Sequence, residues 1–399
     1  MKFELAARIK ELPPYLFADI DKKKVELRKQ GKDLIDLGIG DPDLPTPPHI
    51  VAAMQAAAAE AKYHRYPSYE GMQAFREAAV KWYADRFGVR GLDANKECCA
   101  LIGSKEGIAH FPVAFVNPGD LVLVPDPGYP VYATWTRFVG GEVHTMPLRR
   151  GNGFLPDLKA IPDEVARRAK LMWINYPNNP TAALATRGFY ESVVEFATRH
   201  NIIVASDVAY SEVFFEGEPP ASFLEVPGAK EVGIEFQSLS KTYNMTGWRI
   251  GFAVGNEQLV SGLGKVKTNT DSGAFEAVQA AAVAALGSSQ ACVEEMRAIY
   301  KERREVLCGG LEAAGFEVLR PKATFYVLVT CPKGYTSAEF VGKLLDAGVV
   351  STPATGFGAC GEGYVRLTLC ADKSRMKEAA ERIKRVKICA ASPSWACWR

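Results

Sequence analysis

The chain has 399 residues, 48% of them hydrophobic and 24% charged, with a formal net charge of +2. That length suits two domains better than one and supplies apolar material for a sizeable core. The near-neutral balance argues against a general nucleic-acid or anionic-membrane surface.

The opening MKFELAARIKELPP is charged throughout and predicts no secretory signal. AVQAAAVAAL at 277–286 is far too short to span a membrane. Of the nine cysteines only Cys98 and Cys99 are adjacent, and none forms a C-x-x-C pair. Zinc and redox motifs therefore have no support, no metal is expected, and reduced thiols in a cytoplasmic protein are.

Apolar runs predict strands at 34–39 (LIDLGI), 98–102, 121–124, 142–146, 171–174, 202–206, 234–238 and 250–254. Several are apolar throughout, as in strands buried on both faces. Helical patterns lie between them. The one at 49–62 follows Thr46-Pro47-Pro48, which reads as a cap and first turn. Others cover 75–88 and 189–200, each with its aromatics near one face. This is the pattern of an α/β domain with a largely parallel sheet. After residue 273 the pattern changes to a long helical region reaching about 315, then short strands (FEVLR, FYVLV, YVRLTL) and two helices. These predict a smaller α+β domain, with the first forty or so residues packed against it. The expected division is an arm over 1–45, a large domain over 46–285 and a small domain over 286–399, ending in a poorly ordered ASPSWACWR.

Five loops follow predicted strands. GSKEG (103–107) opens a helix, so its N–H groups, Ser104 and Lys105 could hold an anion. PDPGYP (125–130) presents Tyr129, and NYPNNPT (175–181) presents Asn179 in a stiff turn. ASDVAYSEV (205–213) places Asp207 where strand meets loop, with Tyr210 three residues on, and SLSK (238–241) ends in Lys241, with Arg249 opening the next run. Each alone has an ordinary explanation as a turn, a cap, a rim tyrosine or a surface charge. Together they differ, because the carboxyl ends of parallel strands line one crevice. The set supplies anion donors, an aromatic face, an amide, a carboxylate, a phenol, a lysine and an arginine. Pyridoxal 5'-phosphate needs these groups: donors for its phosphate, an amine for its aldehyde, a carboxylate for its pyridine nitrogen.

Over nearly its whole length the chain resembles the fold-type I pyridoxal-phosphate aminotransferases. Asn179, Asp207, Tyr210, Lys241 and Arg249 stand in the family's order and at its usual spacing. DLGIGDPDLPTP (36–47), YPSYEGM (66–72), IGSKEGIAH (102–110), VPDPGYPVY (124–132) and SLSKTYNMTGWRIGFAVGN (238–256) are similar to the L,L-diaminopimelate aminotransferase branch. The resemblance implies an aspartate aminotransferase-like fold, with a mostly parallel seven-stranded sheet flanked by helices and a smaller α+β domain. It also implies a cytoplasmic homodimer with shared active sites, acting on amino acids and 2-oxo acids.

By the same resemblance, Lys241 would bond the cofactor aldehyde and later shuttle the proton at the substrate α-carbon. Asp207 would pair with the pyridine nitrogen, and Asn179 and Tyr210 would hydrogen-bond the ring hydroxyl oxygen. Tyr129 would stack on the ring. Ser104, Lys105, Ser238, Ser240 and Arg249 would surround the phosphate, with Tyr66 reaching it from the neighbouring subunit. Arg366 would clamp the substrate α-carboxylate as a bidentate pair, joined by the backbone of Gly40. Lys105, Tyr129 and Asn179 would also border the substrate. Tyr15 and Asn269 would touch substrate or cofactor from the partner chain or an adjacent loop. Two positions depart from the family pattern: Ala182 and Ala354 stand where glycine is expected, and alanine is strained if φ must be positive.

The branch implies L,L-diaminopimelate and 2-oxoglutarate as the substrate pair. An aspartate, alanine or broad-specificity aminotransferase, and a lyase using the same lysine, stay open. A cofactor-binding regulatory module would need a DNA-binding segment, and none is seen before residue 34.

Overall fold

The computed structural model describes residues 2–10, 12 and 16–386, the side chains of 16–21 excepted. Tyr15 and the tail at 391–399 lie outside the described residues. In chain order the strands are β1 (Ile35–Asp36), β2 (Cys98–Leu101), β3 (Leu121–Asp126), β4 (Glu142–Pro147), β5 (Ala169–Asn175), β6 (Ile203–Asp207), β7 (Gly233–Ser238), β8 (Gly251–Gly255), β9 (Val318–Leu319), β10 (Tyr326–Thr330), β11 (Val349–Val350), β12 (Thr352–Pro353) and β13 (Tyr364–Thr368).

A seven-stranded sheet runs in the order β2-β8-β7-β6-β5-β3-β4. The steps from β7 through β6, β5 and β3 to β4 are parallel, and β8 is antiparallel to both its neighbours. Every residue of β2, β3, β7 and β8 is buried, which is why these segments are apolar runs rather than alternating ones. Helices cover both faces. On one side Phe75, Trp82 and Tyr83 from the Gln73–Phe87 helix pack on Phe252. On the other, Phe111 from the Ser104–Phe115 helix meets Phe236 edge-on, and Tyr132 stacks on Trp173 with centroids 4.8 Å apart.

The second sheet, β12-β13-β10-β9, is antiparallel. It packs with the long Ala291–Ala313 helix and the Ser337–Asp346 helix, and the Lys373–Lys384 helix packs on the long helix and on β11.

Three expectations are corrected in detail. Only Ile35 and Asp36 of the 34–39 run form a strand. These two residues are β1, which pairs in parallel with β11. Beyond Asp36, glycines at 38 and 40 and the prolines that follow favour an irregular path. Thr46 does not cap the next helix. Pro47 holds the cap position, Pro48 opens the helix, and the Thr46 hydroxyl donates instead to the Asn244 carbonyl at 2.7 Å. The long helical region is two helices, Glu276–Gly287 and Ala291–Ala313, divided at Ser288.

Candidate active site

The crevice forms where the sheet's topology puts several strand ends on one edge. β3, β5 and β7 deliver Tyr129, Asn179 and Lys241 just beyond their carboxyl ends, and Asp207 is the last residue of β6. β8 runs the other way, so Arg249 reaches the same edge from the strand's amino end. Gly251 pairs with both Leu101 and Ser238, which places the β2–helix turn, with Ser104, next to Ser238. A Cβ on Gly251 would lie 2.5 Å from the Gln237 carbonyl oxygen and 3.0 Å from the Ser104 nitrogen, so glycine permits this approach. The cavity there has a volume of about 290 Å3. Gly40, Ser104, Lys105, Tyr129 and Asn179 border it, and so do Asp207, Tyr210, Ser238, Ser240, Lys241, Arg249 and Arg366.

The floor is a buried carboxylate. Asp207 accepts the Tyr132 hydroxyl at 2.7 Å and the Ala209 N–H at 3.2 Å. Both donors are neutral, and no ion pair to Asp207 is recorded among the described residues. Burial pushes its pKa up to about 6, against the lowering effect of the two hydrogen bonds. Asn175 fixes the neighbouring backbone: its Nδ2 donates to the Asp207 carbonyl at 2.8 Å and its Oδ1 accepts the Asn179 N–H at 2.9 Å.

One wall carries the lysine. The Lys241 Nζ donates to the Gly40 carbonyl at 3.1 Å. Burial, more than the nearby arginines, lowers its pKa, opposed by the electrostatic influence of Cys370 and Asp41. Ser238 caps the short Leu239–Thr242 helix, accepting the Ser240 N–H at 3.2 Å. Arg249, at φ +56°, donates from Nη1 to the Thr246 carbonyl. Gly103, at φ +75°, lies so near that a Cβ would sit 2.3 Å from the Arg249 Nη2.

The opposite wall comes from the small sheet. Arg366 on β13 is buried, donating from Nη1 to Asn179 Oδ1 at 2.8 Å and from Nη2 to the Gly38 carbonyl at 2.7 Å. Its Nε is buried with no hydrogen-bond partner among the described residues. The guanidinium lies over the rings of Tyr326 and Phe357, at 4.3 and 4.6 Å. The Tyr210 and Tyr326 hydroxyls are 2.7 Å apart.

Two expected residues stand outside the cavity of their own chain. Tyr66 is 89% exposed. Asn269 ends the Glu257–Thr268 helix, where its Nδ2 is engaged by the Lys265 carbonyl, and it borders a separate surface groove with Glu97 and Lys230. Ala182 does take a positive φ, +60°, while Ala354 is buried in a 3-10 turn without one. Tyr132, Asn175, Tyr326 and Phe357 were not singled out from the sequence. Tyr132 carried a signal, three residues beyond Tyr129 in VPDPGYPVY.

The model of the aminotransferase class I and II family matches residues 32–383. The chain belongs to that family. The L,L-diaminopimelate aminotransferases of Aquifex aeolicus and Syntrophobacter fumaroxidans are each 57% identical to it, over 97% of this chain and 100% of theirs. A single mutant of Thermus thermophilus aspartate aminotransferase matches in structure with a TM-score of 0.91 and 30% identity, covering 97% of this chain and 100% of that one. The fold is thus aspartate aminotransferase-like, and the chain is a pyridoxal-phosphate-dependent aminotransferase.

The residues present fit the cofactor. A buried carboxylate with only neutral donors lacks a cation, which a protonated pyridine nitrogen would supply. Serines, a helix start and an arginine stand together at one end, and a lysine of lowered pKa stands between them and the Arg366 wall.

Proposed function

We propose that this aminotransferase exchanges an amino group between L,L-diaminopimelate and 2-oxoglutarate, in lysine biosynthesis. Support for the substrate is the 57% identity to relatives of that name. The geometric observation behind the chemistry is that Lys241, Arg366 and the carboxylate of Asp207 border one cavity.

Pyridoxal phosphate, when bound, supplies a ring that draws electron density from the substrate α-carbon. Ser104, Lys105, Ser238, Ser240 and Arg249 would hold its phosphate. Asp207 would keep the ring nitrogen protonated, and Asn179 and Tyr210 would bond the ring oxygen. Tyr129 would cover the ring face. Arg366 would take the substrate α-carboxylate, for which its unpartnered Nε and planar fork are suited. Lys241 would remove the α-proton. Its lowered pKa leaves more of the amine neutral at a given pH, as a general base requires. Tyr66 would serve the neighbouring subunit of a cytoplasmic homodimer. The division into an arm, a large and a small domain at residues 45 and 285 is part of the same proposal.

The test is a half-reaction screen. The cofactor-loaded protein is mixed with single amino acids, and the absorbance of the bound cofactor is followed. Conversion by L,L-diaminopimelate and glutamate, with little by aspartate or alanine, is expected. Strong conversion by aspartate and none by diaminopimelate would overturn the substrate in favour of the aspartate reading, which the Thermus likeness supports. A fully active monomer in light scattering would remove the role given to Tyr66.

A further inference from the structure

The segment from Gly38 to Asp43 passes the cavity as a strap, and Gly40 borders it. Its Gly38 carbonyl accepts Arg366 Nη2 at 2.7 Å and the Thr352 hydroxyl at 2.9 Å. Two residues on, its Gly40 carbonyl accepts Lys241 Nζ at 3.1 Å. Alternate main-chain oxygens thus hold Arg366 and Lys241, the two side chains on which the proposed chemistry depends. Ile39 between them points outward, 44% exposed, and a Cβ at Gly40 would meet the Tyr326 hydroxyl at 2.3 Å.

A strap positions its carbonyls only if both ends are fixed. Upstream, β1 pairs with β11, the Asp36 Oδ1 accepts the Gly38 N–H at 3.1 Å, and Asp36 Oδ2 lies 2.5 Å from the buried Lys24 ammonium. Downstream, the Asp43 carboxylate takes both prongs of Arg303, at 2.6 and 2.8 Å. Arg303 sits on the Ala291–Ala313 helix with its side chain 4% exposed, and its Nη1 also donates to the Leu369 carbonyl at 3.1 Å, just past β13. The same guanidinium therefore grips the strap and the end of the strand that carries Arg366.

We propose that Asp43 and Arg303 form a positioning clamp that sets the Gly38 and Gly40 carbonyls against Arg366 and Lys241, and so tunes recognition of the substrate carboxylate without touching substrate. Neither residue borders the cavity. The fork geometry fixes direction as well as distance, which a single-pronged contact would not. The inference rests on the reading that Arg366 takes the α-carboxylate.

The test measures binding rather than turnover. The probe is α-methylglutamate, which has an α-carboxylate but no α-proton, titrated into the cofactor-loaded protein by absorbance. Asp43→Asn should weaken it about tenfold, as small misplacements of binding groups do, with affinity for pyridoxal phosphate kept. Because Asp43→Asn alone takes from the buried guanidinium its bidentate carboxylate, leaving the Leu369 carbonyl and Asp372 at 3.8 Å, the double variant Asp43→Asn/Arg303→Met is measured beside it. It removes both charges and should show the same loss with a melting temperature nearer the parent's. Parental affinity in the folded double variant would overturn the clamp. An Arg366→Lys variant separates the two failures: unchanged probe binding there would overturn the carboxylate reading itself, and the clamp with it.

Discussion

Tyr132 gives its phenolic hydrogen to Asp207 across 2.7 Å, and the stack of Tyr132 on Trp173 holds it there. The bond favours the ionised carboxylate, opposing a burial that pushes Asp207 up to about 6. Tyr132→Phe should therefore raise that pKa and leave less carboxylate to meet the ring nitrogen. Pyridoxal phosphate binding should weaken about tenfold near pH 6, the scale of one hydrogen bond to a charge. The loss should shrink toward pH 8. Absorbance titration across that range checks it, and a pH-independent loss would contradict the assignment.

The same carboxylate strains the cofactor-free fold. Its pKa is raised above the ordinary 3.8, so between 3.8 and about 6 the folded chain keeps a proton that the unfolded chain releases. Stability from this group falls as pH rises through that window, by about 3 kcal/mol in all. Cofactor-free Asp207→Asn should melt above the cofactor-free parent at pH 8, with the gap closing toward pH 4. Calorimetry at the two pH values decides it. The variant should show no transamination.

Gly103 has φ +75° and no room for a Cβ beside Arg249. Gly103→Ala should push the guanidinium away from the phosphate end. Affinity for pyridoxal phosphate should fall about tenfold or more, while affinity for pyridoxal, which has no phosphate, should barely move. Equal losses for both would mean that the substitution disturbs the whole crevice.

Ala182 is buried at φ +60°, with its N–H donating to the Asn178 carbonyl at 2.8 Å. A left-handed alanine costs about 1–2 kcal/mol, and glycine there returns part of this through the freer unfolded chain. Ala182→Gly should stabilise by about 0.5–1 kcal/mol net, read from the urea midpoint at unchanged slope.

The sequence showed most clearly those site residues that follow a buried strand directly. Lys241, Asp207 and Asn179 each come within four residues of a strand end, so locating the strands located them. Tyr132 was harder, because its role depends on which face of the short Val131–Phe138 helix meets β5 and β6. Tyr326 looked like one more apolar strand residue in FYVLV. Its place under Arg366 follows from the register in which Leu328 opposes Arg366, setting Tyr326 diagonally on the same face. At 34–39 the apolar pattern predicts extended chain but not how far it runs or what it pairs with, since β11 lies more than three hundred residues away. Asp43 and Arg303, 260 positions apart, carry no local signal at all.

Arg366 and Lys241 are held by carbonyl oxygens of Gly38 and Gly40, atoms that every amino acid possesses. Codon changes at those positions cannot delete the acceptors; they can only add bulk around them. A side chain at Gly40 would strike the Tyr326 hydroxyl and move the carbonyl with it, so the constraint at this position is one of size. Divergence in substrate choice is left to side chains facing the other end. A directed-evolution library aimed at new amino donors should accordingly leave residues 38–40 alone and spend its diversity there.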